Sequence, residues 1–193
     1  MKDIKEKEII KELFKERFGL VLSDVEESQV KSPDFEFLEE GKRRFVAELK
    51  TIISVPPSEE TGYEKTSTGS WMRKDNSPSR ISRLIDNAYK QLKDYPEPKV
   101  LIFFDKTGGL GIFDLETALT EKMDFKGPDG SIKTFLTPHK NALEINEAKN
   151  TIDLYVWVEE PAHKNEYKYK IQFMCYKDGG KEFCDKFFIK AAN

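Results

Sequence analysis

The chain has 193 residues, enough for one domain with a substantial buried core. Hydrophobic residues make up 38% and aromatic residues 12%, which excludes a wholly disordered chain. Charged residues reach 35% with a net charge of -3, so bulk charge selects no polyanionic partner and any nucleic-acid surface has to be local.

No apolar run approaches the ~20 residues of a membrane span, and the opening MKDIKEKEII is too polar for a signal peptide, so the expected location is cytoplasmic. Lys2 to Phe18 is predicted to be helical, because Ile9, Ile10, Leu13, Phe14 and Phe18 recur at three-to-four spacing before Gly19. LVLSDV, Leu20 to Val25, is a short strand candidate. SPDFEFLEEGKRRFVAELKTI, Ser32 to Ile52, alternates as two strands around a turn near Glu40-Gly41. Ser54 to Ser79 is rich in Ser, Thr, Gly and Pro and is expected to be a long loop of the kind that carries function. Arg80 to Tyr95 places Ile81, Leu84, Ile85, Ala88 and Leu92 on one face of a helix that Pro96 and Pro98 end.

KVLIFFD, Lys99 to Asp105, is continuously apolar, as in a strand buried on both faces. Beyond it, LGIFDL, SIKTFL, TIDLYVWV and YKYKIQFMCYK are strand candidates. This order predicts an α/β sandwich with a mixed sheet in a single domain over 1–193, with a core at about 1–120 and a strand-rich C-terminal elaboration at about 121–193. Cys175 and Cys184 lack metal-ligand spacing and are expected to be buried thiols, while His139 and His163 sit in loop-like contexts at the surface.

The hairpin carries the chemistry. On its odd positions Phe35, Phe37, Phe45, Ala47 and Leu49 form an apolar face, and the even positions gather Asp34, Glu36, Arg44, Glu48 and Lys50. A turn at Gly41 sets Asp34 across from Glu48, with Cβ atoms ~5 Å apart. Two readings follow: a solvated face laced with ion pairs, or two carboxylates that hold a hard dication beside a phosphate, with Lys50 next to it.

PD at Pro33-Asp34 followed by ELK at Glu48-Leu49-Lys50 resembles the PD-(D/E)xK nuclease superfamily, the restriction-endonuclease-like fold. The family's order of helix, three strands, helix and strand is the order predicted for residues 2–105. Asp129 with Glu147-Ala148-Lys149, and Asp153 with Glu166-Tyr167-Lys168, also fit the pattern, but only the Asp34 set has the full run of elements around it. The resemblance implies a three-layer α/β/α sandwich, a metal held by Asp34 and Glu48, and assistance to the attacking water from Lys50.

In several branches a Gln or Lys on the second core helix points into the active site, a placement matched by Gln91. At ~100° per residue Gln91, Arg80 and Asn87 form a polar stripe beside the apolar face of that helix. Some branches add a Glu on the first helix, and Glu6 is the one on the core-facing side. Lys65 to Lys93 holds seven basic residues against two acidic ones, and Trp71, Arg73, Lys74, Arg80 and Arg83 are candidates to grip nucleic acid.

The expected activity is a metal-dependent endonuclease using Mg²⁺, for which Mn²⁺ can substitute. DNA is the first choice of substrate, and RNA is the second. A homodimer or another protein partner would fit the family. The competing expectation is a non-catalytic protein of the same fold that acts as a binding or regulatory partner in phage defence or toxin–immunity.

Overall fold

The computed structural model describes residues 3–25, 32–53, 63–65, 71–73, 77–106, 110–126, 129–136, 142–161 and 169–189. Helix α1 (Asp3–Phe18) leads into strand β1 (Leu22–Asp24) and the hairpin of β2 (Phe35–Glu39) and β3 (Lys42–Ile52). Short strands β4 (Tyr63–Lys65) and β5 (Trp71–Arg73) pair antiparallel, so the stretch expected as plain loop contains a small separate sheet. Helix α2 (Ser77–Leu92) precedes β6 (Lys99–Asp105). Then come α3 (Ile112–Thr120), the hairpin β7 (Lys122–Lys126) and β8 (Ile132–Leu136), α4 (Ala142–Thr151), β9 (Leu154–Glu159) and β10 (Lys170–Met174). The described chain closes with α5 (Gly180–Cys184) and a π-helical turn at Asp185–Ile189.

Six strands form one mixed sheet in the order β1-β2-β3-β6-β9-β10. Strands β1, β2 and β3 run as an antiparallel meander, β6 and β9 continue parallel to β3, and β10 returns antiparallel. The C-terminal stretch therefore completes the central sheet with β9 and β10, besides contributing the peripheral β7–β8 hairpin. LGIFDL is helical from Ile112 onward rather than a strand. Gly111 caps α3, its amide donating to Asp114 Oδ2 at 2.8 Å, and Leu115, Ala118 and Leu119 turn inward at helical spacing.

Side chains alternate across the sheet into two cores. Val100, Ile102 and Phe104 of β6 pack in one cluster with Ile10, Leu13 and Phe14 of α1 and with Phe187 and Phe188. Leu101 and Phe103 pack in the other with α2 (Ile81, Ile85, Ala88, Leu92), α3 (Leu115, Ala118) and α4 (Ile145, Ala148). Strand β6 is thus covered on both faces, as its unbroken apolar run predicts. Cys184 is buried and Cys175 half-buried, both as free thiols. His139 and His163 lie outside the described residues. No helix among the described residues is long and apolar enough to cross a membrane.

The β2–β3 turn occupies Glu40 and Gly41, with φ values of 53° and 72°. Two consecutive positive φ values mark a type I′ turn, whose twist suits a two-residue hairpin. A Cβ built on Gly41 meets nothing within 4 Å, so the cost of a side chain there is backbone strain alone. Gly41→Ala is expected to lower unfolding free energy by about 1 kcal/mol in urea titration; an unchanged midpoint and slope would contradict the strain argument.

Register changes once within the hairpin. Phe37 pairs with Phe45, whereas Leu38 pairs with Arg43, leaving Arg44 as the extra residue of a bulge. The bulge corrects the alternation expected from sequence: Arg43, not Arg44, joins Glu36, donating from Nε to Oε2 at 2.6 Å. Its guanidinium also lies 5.9 Å from the Tyr95 ring just beyond α2.

Candidate functional site

Phe35 pairs with Ala47, and extending that register by one residue sets Asp34 opposite Glu48. Strand β2 begins at Phe35, so β3 runs on past its partner, and the site forms at that step. The Leu49 amide donates to Asp34 Oδ2 at 2.9 Å, and the Asp34 amide donates to Glu48 Oε2 at 3.2 Å. Asp34 thereby closes the ladder with its side chain where the β2 backbone leaves it, and this local bonding fixes the two acids together.

Glu48 and Lys50 project toward α2, the side on which Val46 and Ile52 join the core. Lys50 Nζ donates to Glu48 Oε1 at 2.5 Å and to Gln91 Oε1 at 3.0 Å. The Gln91 amide in turn reaches the Ser32 carbonyl at 3.5 Å. Gln91 thus links the amine on β3 to the segment that delivers Asp34. Gln91 gets there because α2 buries Ile81, Ile85, Ala88 and Leu92 against the sheet, leaving its polar stripe at the margin.

Glu48 is only 2% exposed, which the reading of a solvated hairpin face does not anticipate. The signal was present in Val46 and Ile52, even-numbered apolar residues that require that face to be covered. Burial pushes the Glu48 carboxyl up to about 7; Lys50 opposes the shift by its charge and hydrogen bond, and the Asp34 charge adds to it.

Sequence reasoning missed Lys7. From α1 its Nζ lies 2.6 Å from Asp34 Oδ1. Burial alone would lower its pKa, but the hydrogen bond to Asp34 and the charges of Asp34, Asp24 and Glu48 outweigh this and raise it. Nothing in its spacing marks it among the lysines of α1; only the tertiary placement of Asp34 does.

Glu6 is buried, as expected from its side of α1, but its Oε1 takes Lys106 Nζ at 2.7 Å at the end of β6, apart from the Asp34–Glu48 bonds. Arg80 and Arg83 are exposed on α2. Arg80 Nη2 donates to the Ile53 carbonyl at 2.8 Å, at the end of β3, and Arg83 Nε to the Ser79 carbonyl at 3.4 Å. Trp71 and Arg73 lie on β5, and Lys74 lies outside the described residues. Of the other pattern matches, Asp153 accepts from the Lys99 amide at 2.9 Å, Glu147 sits on α4 with Oε2 3.0 Å from Tyr89 Oη, and Glu166 to Lys168 are outside the described residues.

Among the described residues no group of three or more His, Cys, Asp or Glu side chains converges as for a metal ion. The Asp34–Glu48 pair supplies oxygen donors only, which is the chemistry of Mg²⁺ or Mn²⁺ rather than of a soft metal. Of the present counter-charges, Lys7 is the end of a flexible chain that can yield to an ion, while Lys50 stays beside Glu48 through its second bond to Gln91. The donor set therefore fits a hard dication. No protein-family model, curated protein or solved structure matches this chain.

Proposed function

We propose that this protein is a metal-dependent nuclease of the PD-(D/E)xK type, with Asp34, Glu48, Lys50 and Gln91 as its active site. One observation carries the reading: Lys50 Nζ bonds both Glu48 and Gln91 while Glu48 and Asp34 are bonded to each other, so four residues, from the entry to β2, from β3 and from α2, meet at one step in the sheet. The meander β1–β3, with β6 parallel to β3 and α2 between them in sequence, supports a restriction-endonuclease-like core. Helical side chains in both cores support the three-layer α/β/α arrangement.

Asp34 and Glu48 would hold Mg²⁺ or Mn²⁺. A dication there supplies Lewis acidity to a phosphoryl oxygen and lowers the pKa of bound water. Lys50, held between two acceptors, orients the attacking water or offsets charge growing on the phosphoryl oxygens. Gln91 sets the direction of the Lys50 amine. Attack expels the 3′ oxygen and leaves a 5′-phosphate, as the resemblance implies. The exposed Arg80 at the end of β3, with Arg83, Trp71, Arg73 and Lys74, would hold the backbone of DNA first and RNA second. Glu6, paired with Lys106, is assigned to supporting α1 and β6 rather than to the reacting groups.

The test incubates purified protein with plasmid, single-stranded DNA and tRNA, with Mg²⁺ or Mn²⁺ and with chelator. Cleavage that chelator abolishes supports the enzyme. A second reading has its own observation: each carboxylate already has an ammonium partner, Lys7 for Asp34 and Lys50 for Glu48, so the cluster is charge-compensated without a metal. That arrangement suits a non-catalytic binding or regulatory protein, and binding of nucleic acid without cutting would favour it. Within the enzyme reading, Gln91→Ala is expected to cut turnover about tenfold through a misdirected Lys50 while shifting stability by less than ~1 kcal/mol. A large drop in melting temperature with normal specific activity would make Gln91 a packing residue instead.

A further inference from the structure

We infer that Lys7 is a built-in competitor for the divalent ion: its ammonium occupies the outward oxygen of Asp34 and has to leave before a metal can bind there. This rests on the nuclease reading of the site but concerns a residue outside the motif.

The argument starts from the four carboxylate oxygens of the pair. Asp34 Oδ2 is committed to the Leu49 amide and Glu48 Oε2 to the Asp34 amide, both backbone bonds that hold the strands in place. Glu48 Oε1 takes Lys50, whose second bond to Gln91 anchors it. Asp34 Oδ1 takes its partner from α1, Lys7 Nζ at 2.6 Å. Among the described residues no second hydrogen bond fixes Lys7 there; beyond Asp34 its Nζ lies 5.9 Å from the centroid of the Phe35 ring. Its neighbour Lys11 is engaged elsewhere, with Asp24 and Glu8.

An ammonium and a hard dication want the same oxygen, and Asp34 Oδ1 cannot be shared without two cations in contact. Lys7 is 27% exposed, so it can swing into solvent on its four-carbon stem when an ion arrives. In the metal-free protein it relieves the repulsion between Asp34 and Glu48; in the loaded one it is released beside the site. Apparent metal affinity is then the intrinsic affinity reduced by the stability of the Lys7–Asp34 pair.

The test measures Mn²⁺ binding without nucleic acid, by electron paramagnetic resonance of free Mn²⁺, for wild type, Lys7→Gln, Lys7→Arg and Asp34→Asn. Lys7→Gln is expected to bind Mn²⁺ about fivefold more tightly, the scale of an ion pair of this exposure. Lys7→Arg keeps the charge and is expected to stay near wild type, and Asp34→Asn to lose binding. Melting in chelator and in Mn²⁺ is the second readout: Lys7→Gln should gain more from the ion than wild type does. Wild-type binding that Lys7→Gln leaves unchanged or weakens, with the variant folded, overturns the role of Lys7 and leaves the metal site intact. No binding by wild type or by Lys7→Gln overturns the metal site itself, and the competition with it.

Discussion

If the protein is the nuclease proposed above, Asp34→Ala, Glu48→Ala and Lys50→Ala are each expected to reduce Mg²⁺-dependent cleavage by at least about 10²-fold, because each would remove a group that acts on the transition state. The two acids would share one ion, and either one alone leaves it short of anionic ligands. Among the described residues Lys50 is the one ammonium bonded to Glu48, so its loss would take away positive charge beside the phosphate of the proposed substrate. In the proposed site these groups would act as a unit, and the double variants should fall little further than the worst single one. Initial rates of plasmid relaxation at saturating Mg²⁺, with circular dichroism melts as the check on folding, decide the matter. Three folded variants that cut at the wild-type rate would remove the site from these residues.

The second large effect concerns stability. Glu48 carries its proton more tightly in the folded state than in the unfolded chain, with a pKa raised from 4.5 to about 7 by burial. The sign follows: a raised carboxyl contributes stability that is fully present below about 4.5 and is lost as pH rises through about 7. At ~1.36 kcal/mol per unit the loss is on the order of 3 kcal/mol. Glu6 works in the opposite direction, its hydrogen bond with Lys106 holding the carboxyl below its usual range, so its contribution is lost at lower pH. Glu48→Gln, a neutral stand-in for the protonated acid, is therefore expected to melt higher than wild type at pH 8 in chelator, with the gap closing by pH 4.5. If the site binds Mn²⁺ as proposed, the ion should shrink the gap at pH 8, since it would stabilise only the charged side chain. Parallel pH profiles for the two proteins would show that Glu48 does not titrate in this window.

Much of the hairpin was legible before any coordinates. Its turn residues, the pairing of Asp34 with Glu48, the helix carrying Gln91 and the doubly buried Lys99–Asp105 strand all come from period and punctuation. The Arg43–Arg44 bulge was not legible, because two adjacent arginines give either register the same chemistry. LGIFDL, taken alone, satisfies both periods and so hides helix α3; the Gly111–Asp114 cap is the better guide. The C-terminal helical segment was missed although Phe183, Phe187 and Phe188 recur at helical spacing and pack near α1 and β3. Lys7 lay beyond reach for another reason, since only the docking of α1 against the start of β2 brings it to Asp34.

The two-residue reverse turn at Glu40-Gly41 has a consequence at the far end of its hairpin. Chain length between Asp34 and Glu48 is counted out by that turn and by the single extra residue at Arg44. Inserting or deleting one amino acid anywhere in this span would carry Asp34 along by one strand position, ~3.3 Å, and turn its carboxylate to the opposite face. The hairpin is thus a ruler, and the meeting of Asp34 with Glu48 at one end depends on the arithmetic at the other.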